Sequence, residues 1–344
     1  MEYEYIASHR NHTHGRQDTN PASKHKEKYN TSKHPRWARP LALCQPSKTV
    51  EAGYTRTFNQ IRSHALTSMS VNLSFLLPKS LKDNFWHRRD LIVELTRREL
   101  SQRYRGSYLG MVWTVIIPLV MLLIYTFVFS LVFKARWQTG DTQTPPKEFA
   151  LILFAGMTPF NVFSEVLNRS TSLIIGMPNY VKKVVFPLEV YPVVILIAAI
   201  ITSLINVILI LVGNLLIMHT LSKTIFLIPL AYLPLILLSL GLGWFMSSLG
   251  VYIRDLAQVV AILVQILFFV SPILYPASLV PSSFKFIFWI NPLAAIVESF
   301  RQVLLWGESL SWTTWVAWTA ITAIVAVMGY TWFMVTKKGF ADVI

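Results

Sequence analysis

Asn179-Tyr-Val-Lys-Lys-Val-Val-Phe-Pro-Leu-Glu-Val-Tyr-Pro-Val-Val194 sets two adjacent lysines directly before a long apolar run. Neighbouring lysines resist transfer through a bilayer, and basic residues beside membrane spans mark the cytoplasmic side. Pro187 and Pro192 bracket the start of the apolar run, where a missing N–H has no helical partner to lose. The segment reads as a short cytosolic elbow between two membrane-spanning helices.

Similar apolar runs lie on both sides of the elbow. Leu109–Phe133, Val190–Met218, Ile225–Ile253, Leu256–Phe284 and Trp312–Thr336 all lack Asp, Glu, Lys and Arg. Each exceeds the roughly 18 residues that suggest a spanning helix. Phe149–Ser164 is uncharged too but shorter, and relies on flanking polar residues such as Asn168 at an interface. Six spans follow. The chain is 53% hydrophobic and 14% charged, against about 25% charged in soluble domains, which makes it an all-α integral membrane protein.

A net charge of +14 raises the question of nucleic acid. The excess is concentrated in the first 78 residues and beside the apolar runs, as orientation signals are, so nucleic acid is excluded as a partner. The single Cys44 rules out an internal disulfide and a cysteine metal cluster.

Two domains are expected. Residues 1–78 are rich in His, Asn, Ser, Thr, Lys and Arg, lack sustained periodicity, and read as a disordered basic extension. His9, His12, His14, His25 and His34 have the composition of a metal-binding tract, but nothing gathers them into a closed site. Membrane-like sequence begins soon after Met69, which is the expected true start. Residues 79–344 form the membrane domain.

From Phe85 to Arg105 the chain is charged but patterned. Leu91, Ile92, Val93, Leu95 and Leu100 share one broad helical face; Asp90, Glu94, Arg97 and Arg98 occupy the other, and Glu99 breaks the pattern. An amphipathic helix lying in the membrane interface is predicted, the alternative being a cytosolic lead-in helix that serves only as a topology anchor. This helix, the Arg169–Lys183 link, Arg254 and Lys337/Lys338 fall on one side of the membrane. Lys134, Arg136, Lys147, Lys223, Lys285 and Arg301 fall on the other. The first set is denser, so it is cytoplasmic, with both termini inside.

Ser271-Pro-Ile-Leu-Tyr-Pro276 breaks the fifth span near its outer end. Lys285–Gly307 then stays apolar but carries Asn291-Pro292, Glu298 and Arg301, too interrupted for two crossings. Two short re-entrant helices are predicted there, packed against protein. Glu298 and Arg301, three apart, can pair on one helical face. Charges at this depth are expensive, so pairing or a wet environment is required. Stabilising the re-entrant turn and touching substrate are equally open roles.

Nucleotide chemistry is missing. Gly176-Met-Pro-Asn-Tyr-Val-Lys-Lys183 lacks the second glycine and the Ser/Thr of a phosphate loop. The acids are scattered, so no paired-carboxylate or Ser-His-Asp site is assigned. Arg254-Asp255, between the fourth and fifth spans, reads either as an ordinary cytosolic turn or as a partner contact. Trp113, Phe154, Phe160, Phe268, Phe269, Tyr275, Phe288, Trp289 and Trp306 crowd the outer half, mostly as interface belt or packing.

With these residues placed, the chain from about Asn84 onward resembles the membrane subunit of type-2 ABC exporters of cell-surface polysaccharides. The resemblance rests on Arg89–Leu100 running into Tyr104–Gly110, Asn179–Pro192, Tyr252-Ile-Arg-Asp-Leu256, Ser271–Pro276 and Asn291-Pro-Leu with Glu298-Ser-Phe-Arg301. It implies a homodimer of permeases with separate ATPase subunits, which bind the ATP and Mg; this chain binds no cofactor. It also implies a gate helix near Phe85–Arg105 carrying Trp86, Arg89, Arg97 and Arg98. The docking elbow would lie near Arg169–Lys183, with Arg169, Tyr180, Lys182, Lys183, Arg254 and Asp255 coupling to the ATPase. The outer re-entrant pair would fall near Pro281–Gly307 with Asn291, Glu298 and Arg301, and Trp113, Phe268 and Tyr275 are candidates for stacking on sugars.

The function so implied is ATP-driven export of lipid-linked polysaccharide (O-antigen, capsule or similar) across the inner membrane. An exporter of drugs or small lipids shares the architecture. An ion-coupled secondary transporter normally has internal repeats and midplane ionisable residues, neither of which is evident. A scaffold protein would not co-purify with an ATPase.

Overall fold

The computed structural model describes residues 85–103, 105–132, 138–139, 142–143, 146–182, 186–219, 223–276 and 280–344. The N-terminal extension, its histidines, Met69 and Lys183 lie outside the described residues. Regular structure among the described residues is helical, apart from a two-residue antiparallel pairing of β1 (Gln138–Thr139) with β2 (Thr142–Gln143).

A lead-in helix, α1 (Arg89–Arg103), precedes α2 (Trp113–Tyr125), which continues in wider π-type turns to Val132. Then come α3 (Pro146–Leu173), the short α4 (Pro178–Lys182), α5 (Val190–Ile217) and α6 (Ile228–Tyr252). Five helical stretches among the described residues are long and apolar enough to cross a membrane: Gly110–Phe129, Glu148–Leu173, Val190–Ile217, Lys223–Tyr252 and Trp312–Val343. The protein is an all-α membrane protein.

Two predicted spans change length. The short second span becomes the 28-residue α3, because Glu165 and Arg169 are paired by neighbours and do not end the helix. Arg169 therefore stands within α3, not in the link that follows. The fifth apolar run yields α7 (Leu256–Val270), only 15 residues long. Ser271 is extended ahead of Pro272, as residues before proline tend to be. Fifteen residues rise about 22 Å, short of a hydrocarbon layer of roughly 30 Å.

Two short helices follow where they were predicted: α8 (Lys285–Ile290) and α9 (Pro292–Arg301), the latter continuing through Trp306 to Gly307. Gly307 is left-handed at φ 67°, a geometry glycine adopts without strain. The chain closes with α10 (Trp312–Thr336) and α11 (Phe340–Val343).

The bundle is built around α3, which packs on α5, α6, α7 and α9 and supplies Ile152, Leu153, Phe163 and Val166 to the main core. Apolar side chains gain little by leaving lipid for protein, so close backbone approach through small residues supplies packing instead. A Cβ on Gly329 of α10 would lie 1.9 Å from the Gly241 carbonyl of α6, and one on Gly250 would lie 1.9 Å from the Thr171 carbonyl of α3. In contrast, α2 has no buried residue.

The helices run between two polar ends. At the foot, the end of α3 meets α1, α4, the α6–α7 turn and α11. At the head, the start of α3 meets the end of α7 and α9.

Candidate coupling site

From the foot, α1 runs alongside the first half of α5: Arg88 reaches Glu189, Ile92 packs against Val190 and Val194, and Arg103 reaches Thr202. Its packed face is the predicted one, widened by polar residues. Leu91, Ile92, Leu95 and Leu100 are buried or half-buried while Asp90, Glu94, Arg97 and Arg98 are exposed; of the predicted apolar set Val93 alone, 66% exposed, points outward. Arg88, Thr96, Glu99 and Arg103 turn inward as well, so part of the contact face is ionic. Glu99, which seemed to interrupt the pattern, accepts from Arg169 of α3; Arg103 donates to Glu165 of α3 and, at 3.3 Å, to Thr202 of α5. Glu99 also lies 3.9 Å from Arg103, and Glu165 lies 3.4 Å from Arg169. Four alternating charges thus tie α1 to α3.

The predicted gate-helix residues Trp86, Arg89, Arg97 and Arg98 are all exposed. Arg89 sits 5.8 Å from the centre of the Trp86 ring, a cation–π pairing on the free surface.

The elbow is held by aromatics. Tyr180 packs edge-on to Phe186 at 5.2 Å and to Tyr191 at 6.3 Å, and Phe186 meets Tyr191 at 5.1 Å. Tyr180 is therefore a half-buried strut, while Pro178, Asn179 and Lys182 face outward. Beside it, an open cavity of about 220 Å³ is lined by Leu95, Arg98, Glu99, Gln102, Tyr180 and Tyr191, so α1 and the elbow share a wall. Arg254 and Asp255 form an exposed turn at the same end, and Asp255 caps α7 without a side-chain hydrogen bond. Lys182 and this turn leave their charges exposed, as a docking surface requires.

Beneath them lies a residue that sequence reasoning missed. Glu189, at the foot of α5, is buried; it accepts from Arg88 at 2.8 Å and from Lys337 at 2.6 Å. Its backbone carbonyl accepts from the Trp244 indole at 3.0 Å. A lone Glu inside the quoted elbow was the available signal, since an acid there needs a partner if buried.

At the head the chemistry differs. Arg301 is fully buried and donates to the carbonyls of Ile152 at 3.2 Å, Pro272 at 2.7 Å and Ile273 at 2.7 Å. Gly156 makes room: a Cβ there would stand 2.6 Å from the guanidinium. The predicted pairing with Glu298 is present at 3.6 Å, but Glu298 is 43% exposed and backbone carbonyls are the main acceptors. Asn291 caps α9 by accepting from the Leu293 N–H, and donates to Ser271 at 2.9 Å. Proline removed the helical continuation at Ser271–Ile273; Arg301 and Asn291 satisfy the groups left behind.

The candidate sugar-stacking aromatics do not converge. Phe268 packs on Phe160 at 5.2 Å, and Tyr275 donates to the Phe269 carbonyl at 2.8 Å. Trp113 belongs to the other end. It opens α2 sixteen residues before Phe129, which packs on Phe149 at the head, so about 24 Å separate them. Its placement in the outer half is thus corrected: it follows directly from the lead-in helix. Among the described residues no three His, Cys, Asp or Glu side chains are grouped to hold a metal ion.

Residues 90–305 match the ABC-2 type transporter family. The chain belongs to that family. Curated relatives include an O-antigen export system permease protein RfbA from Klebsiella pneumoniae, 29% identical over 77% of this chain and 98% of the relative. A protein of the same name from Myxococcus xanthus is 28% identical over 62% of this chain and 80% of its own length. The polysialic acid transport protein KpsM of Escherichia coli is 27% identical over 61% and 79% respectively. In this ABC-2 chain the matched region runs from α1 into the π-type turns after α9, and so takes in the elbow, the α6–α7 turn and the Arg301 joint, while Arg88, Lys337 and α11 lie beyond it.

Proposed function

We propose that this chain is the permease subunit of an ATP-driven exporter of lipid-linked polysaccharide, working as a pair with two copies of a separate ATPase. The family match, with relatives named for O-antigen and polysialic acid transport, carries the reading. The foot's geometry supports it: an outward-facing elbow stands against a lead-in helix across a shared cavity.

On this reading the foot faces the cytoplasm, since Arg88, Arg89, Arg97, Arg98, Lys182 and Lys337 collect there. Six crossings then return the chain to its starting side at the inner membrane, with α7 completed by the segment after its break and α8–α9 dipping in from the head. The unburied faces of α2 and of Val259, Ile262 and Ile266 on α7 are available to the second copy. ATP and Mg reside on the ATPase, which docks on Lys182, Lys183, Arg254 and Asp255. Its stroke moves α1, the gate through which the lipid-linked chain enters.

The test is export in cells whose own permease is deleted. Replacing Lys182 and Lys183 with Glu is expected to abolish surface polymer while the co-purified ATPase still hydrolyses ATP. Unchanged surface polymer would rule out docking at the elbow, and a polymer-free surface with the unaltered chain would rule out the substrate.

A further inference from the structure

Glu189 stands where three mechanically separate parts of the foot meet. One carboxylate oxygen takes Arg88, which leads into α1; the other takes Lys337, which leads into α11. The residue's carbonyl is fastened to α6 through Trp244. Three residues earlier, Phe186 belongs to the aromatic cluster that holds α4. A displacement of α4 therefore reaches Glu189 before it reaches anything in α1.

The arrangement has little slack. A buried carboxylate stripped of one cation is left partly unsatisfied, so Arg88 and Lys337 follow the carboxylate rather than part from it. Aromatic contacts reinforce the link on both sides. Phe85, just before Arg88, lies 6.1 Å from Trp244 and 5.9 Å from Tyr330. On the other side, α11 rests on α4 itself, with Phe340 buried against Phe333 and Tyr252. The elbow and the C-terminal helix thus touch each other and grip the same acid.

We propose that Glu189 is the positioning residue that transmits movement of the docking elbow to α1, with the C-terminal Lys337 as the second jaw of the clamp. The inference rests on the permease reading above. It adds what that reading leaves open: which side chain joins elbow to gate, and why the chain's last residues fold back onto the foot. Glu189 touches neither substrate nor nucleotide and acts through Arg88.

The experiment uses the full-length permease purified with its ATPase, in which cysteines at Ile92 and Val194 report the seating of α1 by disulfide cross-linking. In the parent complex, the cross-linking rate should change when ATP and vanadate are added. Glu189→Gln is expected to keep ATP hydrolysis within twofold, lower polymer exported per ATP at least tenfold, and leave cross-linking blind to nucleotide. Arg88→Gln, at a half-exposed position that does not endanger folding, should do the same. Glu189→Asp, which keeps the charge, should recover part of the nucleotide response. Normal export per ATP in Arg88→Gln, equal behaviour of the Asp and Gln variants, or loss of the ATPase from the Gln complex would each overturn the proposal. A parent complex that responds to nucleotide but moves no polysaccharide would defeat the substrate assignment alone, because cross-linking still reads α1.

Discussion

The foot and the head of this bundle both bury charge, by opposite means. At the foot, acid meets base: Glu99, Arg103, Glu165 and Arg169 alternate across a partly exposed seam, and Glu189 is shared by two cations. At the head, Arg301 spends its guanidinium on three backbone carbonyls. Ion pairs near water can re-form with other partners at small net cost. A guanidinium locked to backbone carbonyls of two segments leaves those carbonyls without this donor once it is displaced. The difference separates a seam that can slide from a joint that holds.

The sharpest way to break that contrast is to remove the joint. Arg301→Met should be the most damaging single change, leaving three carbonyls without this donor and costing about 3 kcal/mol or more. The loss should appear as a much lower unfolding temperature in detergent. Arg301→Lys should not repair it, because one ammonium does not reproduce the planar fork. Gly156→Ala comes next. Its methyl intrudes on the guanidinium, and overpacking of this kind costs about 1–3 kcal/mol, measurable in the same melts.

The foot should respond more weakly and in a salt-dependent way. Glu99→Arg places like charges beside Arg103 and Arg169, with an expected loss within about 1 kcal/mol given the exposure of the seam. Adding Arg169→Glu should restore most of it. Melts in 1 M salt, where screening acts within about 3 Å, should shrink the foot effect and leave the head variants unchanged. Equal salt dependence at both ends would erase the distinction. Smallest of all, Tyr275→Phe removes one exposed hydrogen bond and should shift stability by no more than about 0.5 kcal/mol.

Much of this architecture was legible in the chain. Uncharged runs located the long helices, and the Ser271–Pro276 break located the end of α7. Asn291-Pro292 carried the start of α9, with Asn at the cap and Pro in the first turn. What escaped were pairings between distant residues. Glu99 meets Arg169 seventy positions on, and Glu189 meets Lys337 after 148 more, so no local window contains both partners. The apolar face of α1 was legible, but its ionic part was not: Glu99 and Arg103 count as contacts only once α3 supplies the opposite sign. Arg301 was singled out, but its acceptors are backbone atoms, which have no signature in side-chain order. Trp113 was misplaced because aromatic content alone does not say which end of a span it marks.

The glycine contact between α6 and α10 has a mechanical consequence. Where Gly241 faces Gly329, the two backbones touch with no side chain between them, so no rotamer change can let one helix ratchet past the other. The pair acts as a stator: a fixed rail against which neighbouring parts are timed. Trp244 projects from that rail to hold the Glu189 carbonyl, so the clamp proposed above is fastened to a part of the bundle that has no room to slide.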